Sequence, residues 1–343
     1  MGTYGVSVFT AERTLTRREF EIRSPRENQV LIKVDCCAIC TMEQRVYLGV
    51  MKYYPFAGGH ELSGTVVETG DKVTQLKAGD KVAARLLTNC GECYYCRNGN
   101  ENQCVISFKA STHEGLNGPG GLAEYMLLDS RSLFKMSDNV NMAHAALAEP
   151  LACCVHSIGN GRIDLGNDVV VIGVGIMGAF HIQLAKLRGA RVIACEVDPD
   201  RLAVAKMAGA DILVNSKEEN AIEKVRECTE GRGADVVFCT TALTKLASEA
   251  VEMAGKLGRV VLYSSFHPKN PIDLDVDKIH YSERILTGSV NPNIRDFHVA
   301  TRLISSGLVN PTGLISEIVP FDQLTHAFER AVDPKTYRII VKM

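Results

Sequence analysis

Four cysteines close together, in the segment NCGECYYCRNGNENQC, constrain the fold of this chain more than any other feature. Gaps of two residues let neighbouring thiolates turn onto one centre, and a short loop returns the fourth. This pattern is typical of a closed tetrahedral zinc site, which contributes folding energy and leaves no position open for a substrate. We therefore predict a structural zinc site, with a redox role as the alternative. Its ligands are Cys90, Cys93, Cys96 and Cys104.

Length and composition are those of an ordinary globular protein. The 343 residues suggest about two domains. A net charge of −2 gives no electrostatic footprint for nucleic acid or an anionic membrane surface, so we expect neither as a partner. We also expect no secretory signal and no membrane helix, because no stretch reaches about 20 apolar residues. A chain of this length needs no disulfide scaffold for its twelve cysteines, which favours the reducing cytoplasm.

The hydrophobic pattern changes near residue 168. Residues 1–150 contain short alternating or apolar runs between Gly-Asp turns, which predict a mostly β part. From residue 168 onwards, apolar runs such as DVVVIG and RVIACE alternate with helical patterns, which predicts a doubly wound parallel sheet. Two amphipathic helical stretches and a closing strand, YRIIVK, follow residue 293. The predicted fold class is therefore α/β.

A glycine-rich turn stands between the first of these strands and the helix behind it. Its residues are Gly173, Val174, Gly175, Ile176, Met177 and Gly178. In this GxGxxG pattern the first glycine makes a tight turn, the second lets the backbone approach a pyrophosphate, and the third lets helix and strand pack closely. Glu196 ends the next strand, where a carboxylate accepts hydrogen bonds from ribose hydroxyls and repels a 2′-phosphate. We therefore predict NAD rather than NADP as the cofactor.

Two further positions are candidates for cofactor contacts. Arg201 lies in the first turn of the following helix, where it either approaches the adenosine half of the cofactor or is a solvated helix charge. Thr241 follows the strand DVVFC at the carboxyl edge of the predicted sheet. Ligands of such sheets bind at that edge, so its hydroxyl is a candidate for a cofactor contact.

Four further residues have side chains that can bind a metal ion, although no regular spacing along the chain links them: Cys40, His60, Glu61 and Glu149. Along the chain, Cys40, GHELSG at 59–64, the four-cysteine segment, EPLA at 149–152, the glycine turn and IHYSERILTGS at 279–289 follow one another. In this order they resemble the zinc-dependent medium-chain dehydrogenase/reductase family over essentially the whole chain. The glutamate of EPLA and the segment 279–289 are more similar to the sorbitol and threonine dehydrogenase branch than to the primary-alcohol branch.

The resemblance implies a GroES-like, β-rich catalytic domain formed by residues 1–150 and 293–343, and a Rossmann NAD-binding domain over residues 151–292. It implies that Cys40, His60 and either Glu61 or Glu149, or both in alternation, hold a catalytic zinc with one open position. Each chain then carries one catalytic and one structural zinc. The implied reaction is reversible hydride transfer between NAD(H) and a small secondary alcohol or ketone, in a homodimer or homotetramer.

The chain departs from the family just after the ligand cysteine. Zinc alcohol dehydrogenases place Ser or Thr two positions after it, and several place His five positions after it, and these residues relay the alcohol proton to solvent. Met42 and Arg45 stand at those positions here. A thioether donates no proton and an arginine stays charged, so the usual relay is absent or rerouted. Thr41 is one alternative relay, and Glu61 or Glu149 as general base is another.

Two charged residues near this position extend the hypothesis. Glu43 stands where the family has an aspartate that orients the zinc histidine, and we expect it to contact His60. Arg45 suits a substrate that carries a carboxylate or phosphate, which a guanidinium binds through two hydrogen bonds. The alternative is that Arg45 pairs with Glu43 or touches the cofactor.

These observations together predict an NAD-dependent zinc alcohol dehydrogenase that acts on a polyol, a sugar or a sugar-derived compound, anionic ones included. A threonine-type hydroxy-amino-acid dehydrogenase is the alternative within the enzymes. A non-catalytic protein that senses NAD(H) or scaffolds a partner is the alternative of another class. Met42 and Arg45 favour that last alternative, and the retained set of candidate zinc ligands argues against it.

Overall fold

The computed structural model describes residues 2–107, 111–266 and 270–343 of the chain. The chain divides into two compact units, Met1–Ala152 with Asn293–Met343 and Cys153–Pro292. Each unit has a hydrophobic core of its own. Within the described ranges, no helix is both long enough and apolar enough to cross a membrane.

Strands and helices are numbered along the chain. The strands are β1 (Thr3–Ala11), β2 (Thr14–Glu21), β3 (Gln29–Ala38), β4 (Glu61–Thr69), β5 (Lys81–Arg85), β6 (Thr112–His113), β7 (Leu116–Asn117), β8 (Tyr125–Asp129), β9 (Leu133–Lys135), β10 (Asp168–Ile172), β11 (Arg191–Glu196), β12 (Ile212–Asn215), β13 (Ala234–Cys239), β14 (Ala254–Leu262), β15 (Ile285–Gly288), β16 (Ile315–Pro320) and β17 (Arg338–Lys342). The helices are α1 (Thr41–Tyr47), α2 (Tyr94–Arg97), α3 (Met142–Ala145), α4 (Ala148–Gly161), α5 (Ile176–Leu187), α6 (Pro199–Met207), α7 (Ala221–Cys228), α8 (Thr244–Met253), α9 (Val276–Tyr281), α10 (Ile294–Ser305) and α11 (Leu324–Ala331).

A seven-stranded sheet forms the centre of the first unit. Its order is β16, β17, β3, β4, β5 and β9, and β8 pairs with β3 as well. Ala38 of β3 lies opposite Glu61 of β4, which in turn lies opposite Arg85 of β5. Residues directly opposed across antiparallel strands share a face of the sheet. The register therefore places Glu61 and Arg85 side by side on one face, near the end of β3 that leads to Cys40.

Helix α1 is fixed by an aromatic cluster of the same unit. The ring of Tyr47, which is buried, stacks on Phe328 of α11 at 5.0 Å, and Phe9 of β1 meets the same ring edge-on at 5.2 Å. The Tyr47 hydroxyl donates a hydrogen bond to Glu329 over 2.7 Å. These contacts fix the helix that directly follows Cys40.

Six parallel strands form the sheet of the second unit. Their order is β12, β11, β10, β13, β14 and β15. Counted along the chain this is 3-2-1-4-5-6, the order of a dinucleotide-binding sheet. Strand β10 is buried along its whole length, as expected for a parallel strand covered on both faces. The doubly wound parallel sheet predicted from the sequence is confirmed.

Side-chain caps set the starts of helices α6 and α10. The Asp198 side chain accepts a hydrogen bond from the Asp200 N–H, and Pro199 opens α6. Asn293 and Asp296 form a capping box at the start of α10. The starts of these two helices are therefore set by local chemistry.

Candidate active site and metal centres

The four cysteines of the segment 90–104 lie around one point. The sulfur atoms of Cys90, Cys93, Cys96 and Cys104 are all within 4.8 Å of one another. The Sγ atoms of Cys90 and Cys96 are 4.0 Å apart, and those of Cys90 and Cys104 are 3.6 Å apart. A tetrahedral zinc with bonds of about 2.3 Å places its sulfur ligands about 3.8 Å apart. The spacing therefore fits such an ion.

Backbone N–H groups are directed at these sulfur atoms. The N–H of Cys93 donates to Cys90 Sγ, and the N–H of Cys90 donates to Cys104 Sγ, each over 3.3 Å. The N–H groups of Cys96 and Val105 lower the pKa of Cys93 to about 6. Because the thiolate is the form that binds metal, the loop backbone favours the ligand state of Cys93. Burial acts in the other direction at Cys96 and raises the pKa of that thiol to about 12.

His60 is common to two further groups of candidate metal ligands, both within the first unit. Its ring lies with Cys40 and Glu43 in one group and with Glu61 and Glu149 in the other, and within each group the donor atoms are at most 4.8 Å apart. Cys40 directly precedes α1, His60 directly precedes β4, and Glu149 lies in the first turn of α4. Three separate parts of the chain therefore meet at His60.

Glu43 orients the His60 ring. Its buried Oε1 accepts a hydrogen bond from His60 Nδ1–H over 2.8 Å and another from the Gly59 N–H over 2.9 Å. Burial opposes ionisation of Glu43, but the His60 ring and these hydrogen bonds outweigh it and hold the pKa of the carboxyl below its usual value. With Nδ1 engaged, Nε2 is the ring nitrogen of His60 that could bind a metal ion. The contact expected from the sequence between Glu43 and His60 is present.

Glu61 forms a buried, bidentate ion pair with Arg338. Arg338 Nε donates to Glu61 Oε2 over 2.9 Å, and Arg338 Nη2 donates to Oε1. Glu61 is 0% exposed and Arg338 5% exposed. Burial lowers the pKa of Arg338, but Glu61 and Cys40 more than offset it and raise that pKa above its usual value. A Glu61 that ligated a metal would have to leave this partner.

Sequence reasoning did not find Arg338. The residue opens β17 and is 277 positions from Glu61. Its only local signal is an arginine at the head of a strand, RIIVK, whose next three residues are apolar and buried. Such a residue is expected to have a buried partner, but the partner itself cannot be read from the strand.

Helix α1 carries the residues that stand at and beside the positions of the usual proton relay. Thr41, its first residue, is exposed. Met42 is partly buried and packs against the hydrophobic core of the first unit. Arg45 is partly buried and lies one turn after Thr41, on the same face of the helix.

The glycine turn has the steric features that a pyrophosphate site requires. Gly173 has a φ of +87°, and a Cβ there would lie 2.4 Å from Thr241 Cγ2. A Cβ on Gly178 would lie 1.9 Å from the Gly173 carbonyl oxygen. A Cβ on Gly175 would have only Arg201 nearby, at 3.7 Å. The second glycine is therefore the open one, and Thr241 and Arg201 lie beside this turn.

Glu196 is hydrogen-bonded to the same turn. At the end of β11, its Oε2 accepts from the Val174 N–H and its Oε1 from the Val197 N–H, both over 2.7 Å. Ile176 and Met177 begin α5 directly after the turn. The second unit thus joins a helix N-terminus, an open glycine and a carboxylate, the set that binds a dinucleotide.

Comparisons with known proteins show which family and fold this chain shares. Two family models match: alcohol dehydrogenase GroES-like domain over residues 26–138, and zinc-binding dehydrogenase over residues 173–306. The chain is 30% identical to D-arabitol-phosphate dehydrogenase from Enterococcus avium, over 94% of this chain and 92% of that one. It is 32% identical to sorbitol dehydrogenase from Halalkalibacterium halodurans, over 89% and 90%. A zinc-binding dehydrogenase from Sinorhizobium meliloti 1021, crystallised with NADP, shares the fold over 100% of both chains (TM-score 0.91, 24% identity).

Proposed function

Because this chain belongs to the zinc-dependent medium-chain dehydrogenase/reductase family, we propose that it transfers a hydride reversibly between NAD(H) and a secondary alcohol or ketone. The proposed substrate is a polyol, a sugar or a sugar-derived compound, anionic ones included. The observation that carries the proposal is the meeting of the two ligand groups at His60. That the chain is an alcohol dehydrogenase-like enzyme follows from the family itself.

Cys40, His60 and Glu149 are the proposed ligands of the catalytic zinc, and the four cysteines those of the structural zinc. Glu61 is the less favoured ligand because Arg338 occupies both of its oxygens. A zinc ion bound to a thiolate, an imidazole and a carboxylate supplies a Lewis acid that polarises an alcohol or carbonyl oxygen. Glu43 orients the ring of His60, which is the usual function of such an outer carboxylate.

Thr41 is the proposed first carrier of the alcohol proton. Its hydroxyl both donates and accepts, and the residue is exposed, so a proton received at Oγ1 can pass to solvent. Met42 cannot serve because its thioether donates no proton and its side chain packs on the core. Substitution of Thr41 by Val is expected to lower kcat about 10²-fold, the smaller end of general acid–base effects.

NAD is the proposed cofactor, and Glu196 is the residue on which the choice depends. The glycine turn and the N-terminus of α5 would hold the pyrophosphate of NAD, which when bound would supply the hydride chemistry. The S. meliloti enzyme of the same fold binds NADP, so the cofactor needs a direct test.

We expect kcat/KM to be higher with NAD⁺ than with NADP⁺. Glu196→Gln should reduce the ratio of the two kcat/KM values by about 10-fold or more, since a carboxylate bonded to ribose hydroxyls is lost. Asp200→Asn, an exposed acid in the next helix, is the control. An unchanged ratio in Glu196→Gln contradicts the assignment.

A substrate screen tests the reaction itself. The zinc-loaded protein and NAD⁺ are mixed with neutral polyols, polyol phosphates, aldonates and L-threonine, and NADH absorbance is followed. We expect turnover of a polyol or sugar-derived compound that is lost in Cys40→Ser. Highest kcat/KM for L-threonine favours the amino-acid alternative. No turnover by a protein that binds zinc and NAD(H) favours the non-catalytic one.

Arg45 decides between neutral and anionic substrates in this proposal. If its guanidinium binds a carboxylate or phosphate, Arg45→Ala lowers kcat/KM for the anionic compound about 10- to 100-fold more than for its neutral counterpart. Arg18→Ala, which removes an exposed arginine from β2, is the control. Equal losses for both compounds exclude this role.

We also propose a homodimer or homotetramer joined edge to edge through the parallel sheets, at β15, one of the two edge strands. Light scattering on the purified protein measures the mass. Cytoplasmic localisation is proposed because zinc-binding cysteines must stay reduced.

A further inference from the structure

Arg85 is a buried cation that the proposed reaction does not use. It is the last residue of β5 and is 6% exposed. Its Nη1 donates to the Leu87 carbonyl over 3.0 Å and to Asn89 Oδ1 over 3.3 Å. Its Nε and Nη2 are buried and have no hydrogen-bond partner among the described residues. Burying a charged group without partners is costly, so its charge needs compensation from nearby anions.

The compensating groups belong to both metal clusters. Burial lowers the pKa of Arg85, and the charges of Glu101, Glu149 and a deprotonated Cys96 act against that effect. Burial raises the pKa of the free Cys96 thiol to about 12, so Cys96 carries this charge as a zinc-bound thiolate. Glu101 is also buried, lies in the loop between Cys96 and Cys104, and accepts a hydrogen bond from the Ile294 N–H over 2.9 Å. Arg85 therefore interacts electrostatically with Glu101 and Cys96 of the four-cysteine lobe, residues 90–104, and with Glu149 of the His60 site. Its hydrogen bond to Asn89 ties it to the residue that precedes Cys90.

Loss of Arg85 affects the two clusters differently. Glu149 also interacts electrostatically with Arg338, so it keeps a neighbouring cation if Arg85 is removed. In the lobe, Arg97 follows Cys96 but is exposed, and water screens its charge. Four thiolates around one Zn²⁺ carry a net charge of about −2, which a buried cation stabilises far better than an exposed one.

We propose that Arg85 is a positioning residue of the four-cysteine lobe. Its buried positive charge compensates the negative charges of the zinc–thiolate cluster and of Glu101. Its Nη1 hydrogen bonds hold the segment that leads to Cys90. The inference rests on the proposed binding of zinc in the lobe.

Competition for zinc tests this role in the full chain, in a Cys40→Ser background that leaves the lobe as the zinc site. Zinc retained against a chelator gives the affinity of the lobe, and cobalt(II)–thiolate absorbance reports the same site independently. We expect Arg85→Met to weaken zinc binding by about 10-fold or more, because a buried positive charge that offsets the thiolates is lost. Arg85→Lys, which keeps the charge, and Arg97→Met, which removes an exposed one, stay within about threefold of the parent.

Two results overturn the inference. One is an Arg85→Met lobe that binds zinc within about threefold of the parent. The other is an Arg85→Lys lobe as weak as Arg85→Met, which shows that the positive charge does not stabilise the cluster. A parent lobe that binds no zinc overturns the proposed structural site as well, so the two failures are distinguishable.

If Arg85→Met does not fold, the Glu101→Gln variant tests the same inference. Removing that carboxylate should tighten zinc binding by about threefold or more, since one negative charge beside the thiolates is lost, and unchanged or weaker binding contradicts the inference.

Discussion

At the scale of single residues, the ion pair between Glu61 and Arg338 makes a strong prediction about stability. Both side chains are buried, so Arg338→Met leaves a carboxylate without its partner in the core of the first unit. We expect a loss of about 3–5 kcal/mol, because the cost of a buried charge is then uncompensated. Urea denaturation followed by circular dichroism measures the loss.

The double variant Arg338→Met/Glu61→Gln provides the control. Removing both charges of a buried pair costs far less than removing one, so the double variant should recover most of the lost stability. If it is as unstable as Arg338→Met, packing of the arginine rather than its charge stabilises the unit.

At the scale of elements, α4 and α5 meet at a buried histidine. His181 Nδ1–H donates to the Met177 carbonyl, and His181 Nε2 accepts from the Ser157 hydroxyl, each over 2.8 Å. Phe238 and Tyr263 pack against the ring at 4.8 and 5.0 Å. Burial lowers the pKa of His181 to about 4, against the opposing effect of the Met177 carbonyl. The packing of these elements therefore requires the neutral ring.

Stability of the second unit should consequently fall in acid. His181 titrates at about 6.5 when unfolded and about 4 when folded. Between these pH values the unfolded state binds the extra proton, so the contribution of His181 is present above pH 6.5 and is lost as the pH falls to 4. The full loss in the free energy of unfolding is about 3 kcal/mol.

Urea denaturation at several pH values measures this loss, and His181→Gln should flatten the pH dependence. His280→Gln, an exposed histidine of the same unit, should not.

Individual strands and helices could be predicted from the sequence where the signal was local. Strands β10 and β11 lie where the apolar runs indicated, and α6 begins at the local cap of Asp198 and Pro199. These features are local, since a period, a cap or a glycine turn is contained within one segment. Register is not local. The opposition of Glu61 and Arg85 across β4 and β5 depends on how two strands align, which neither strand specifies alone.

At the scale of the whole molecule, the candidate site depends on contacts between distant segments. Cys40, His60 and Glu149 could be proposed because they resemble a family pattern, while their grouping needed the folded chain. Arg338 and Arg85 match no motif that the sequence singled out. Each is an arginine at the end of an apolar strand, and only the fold identifies the acids beside it.

The two metal clusters of the first unit lead to a final prediction, a division between stability and chemistry. The four-cysteine cluster is closed, so Cys93→Ser should lower the thermal midpoint or prevent folding, because structural zinc contributes folding free energy directly. Cys40→Ser should remove one zinc per chain and abolish turnover, while leaving the thermal midpoint within about 5 °C, since a change near 1 kcal/mol shifts a domain by only a few degrees. Zinc content, differential scanning calorimetry and NADH formation are measured on both variants. A Cys93→Ser protein that keeps its fold and its thermal midpoint but loses only hydride transfer contradicts this division.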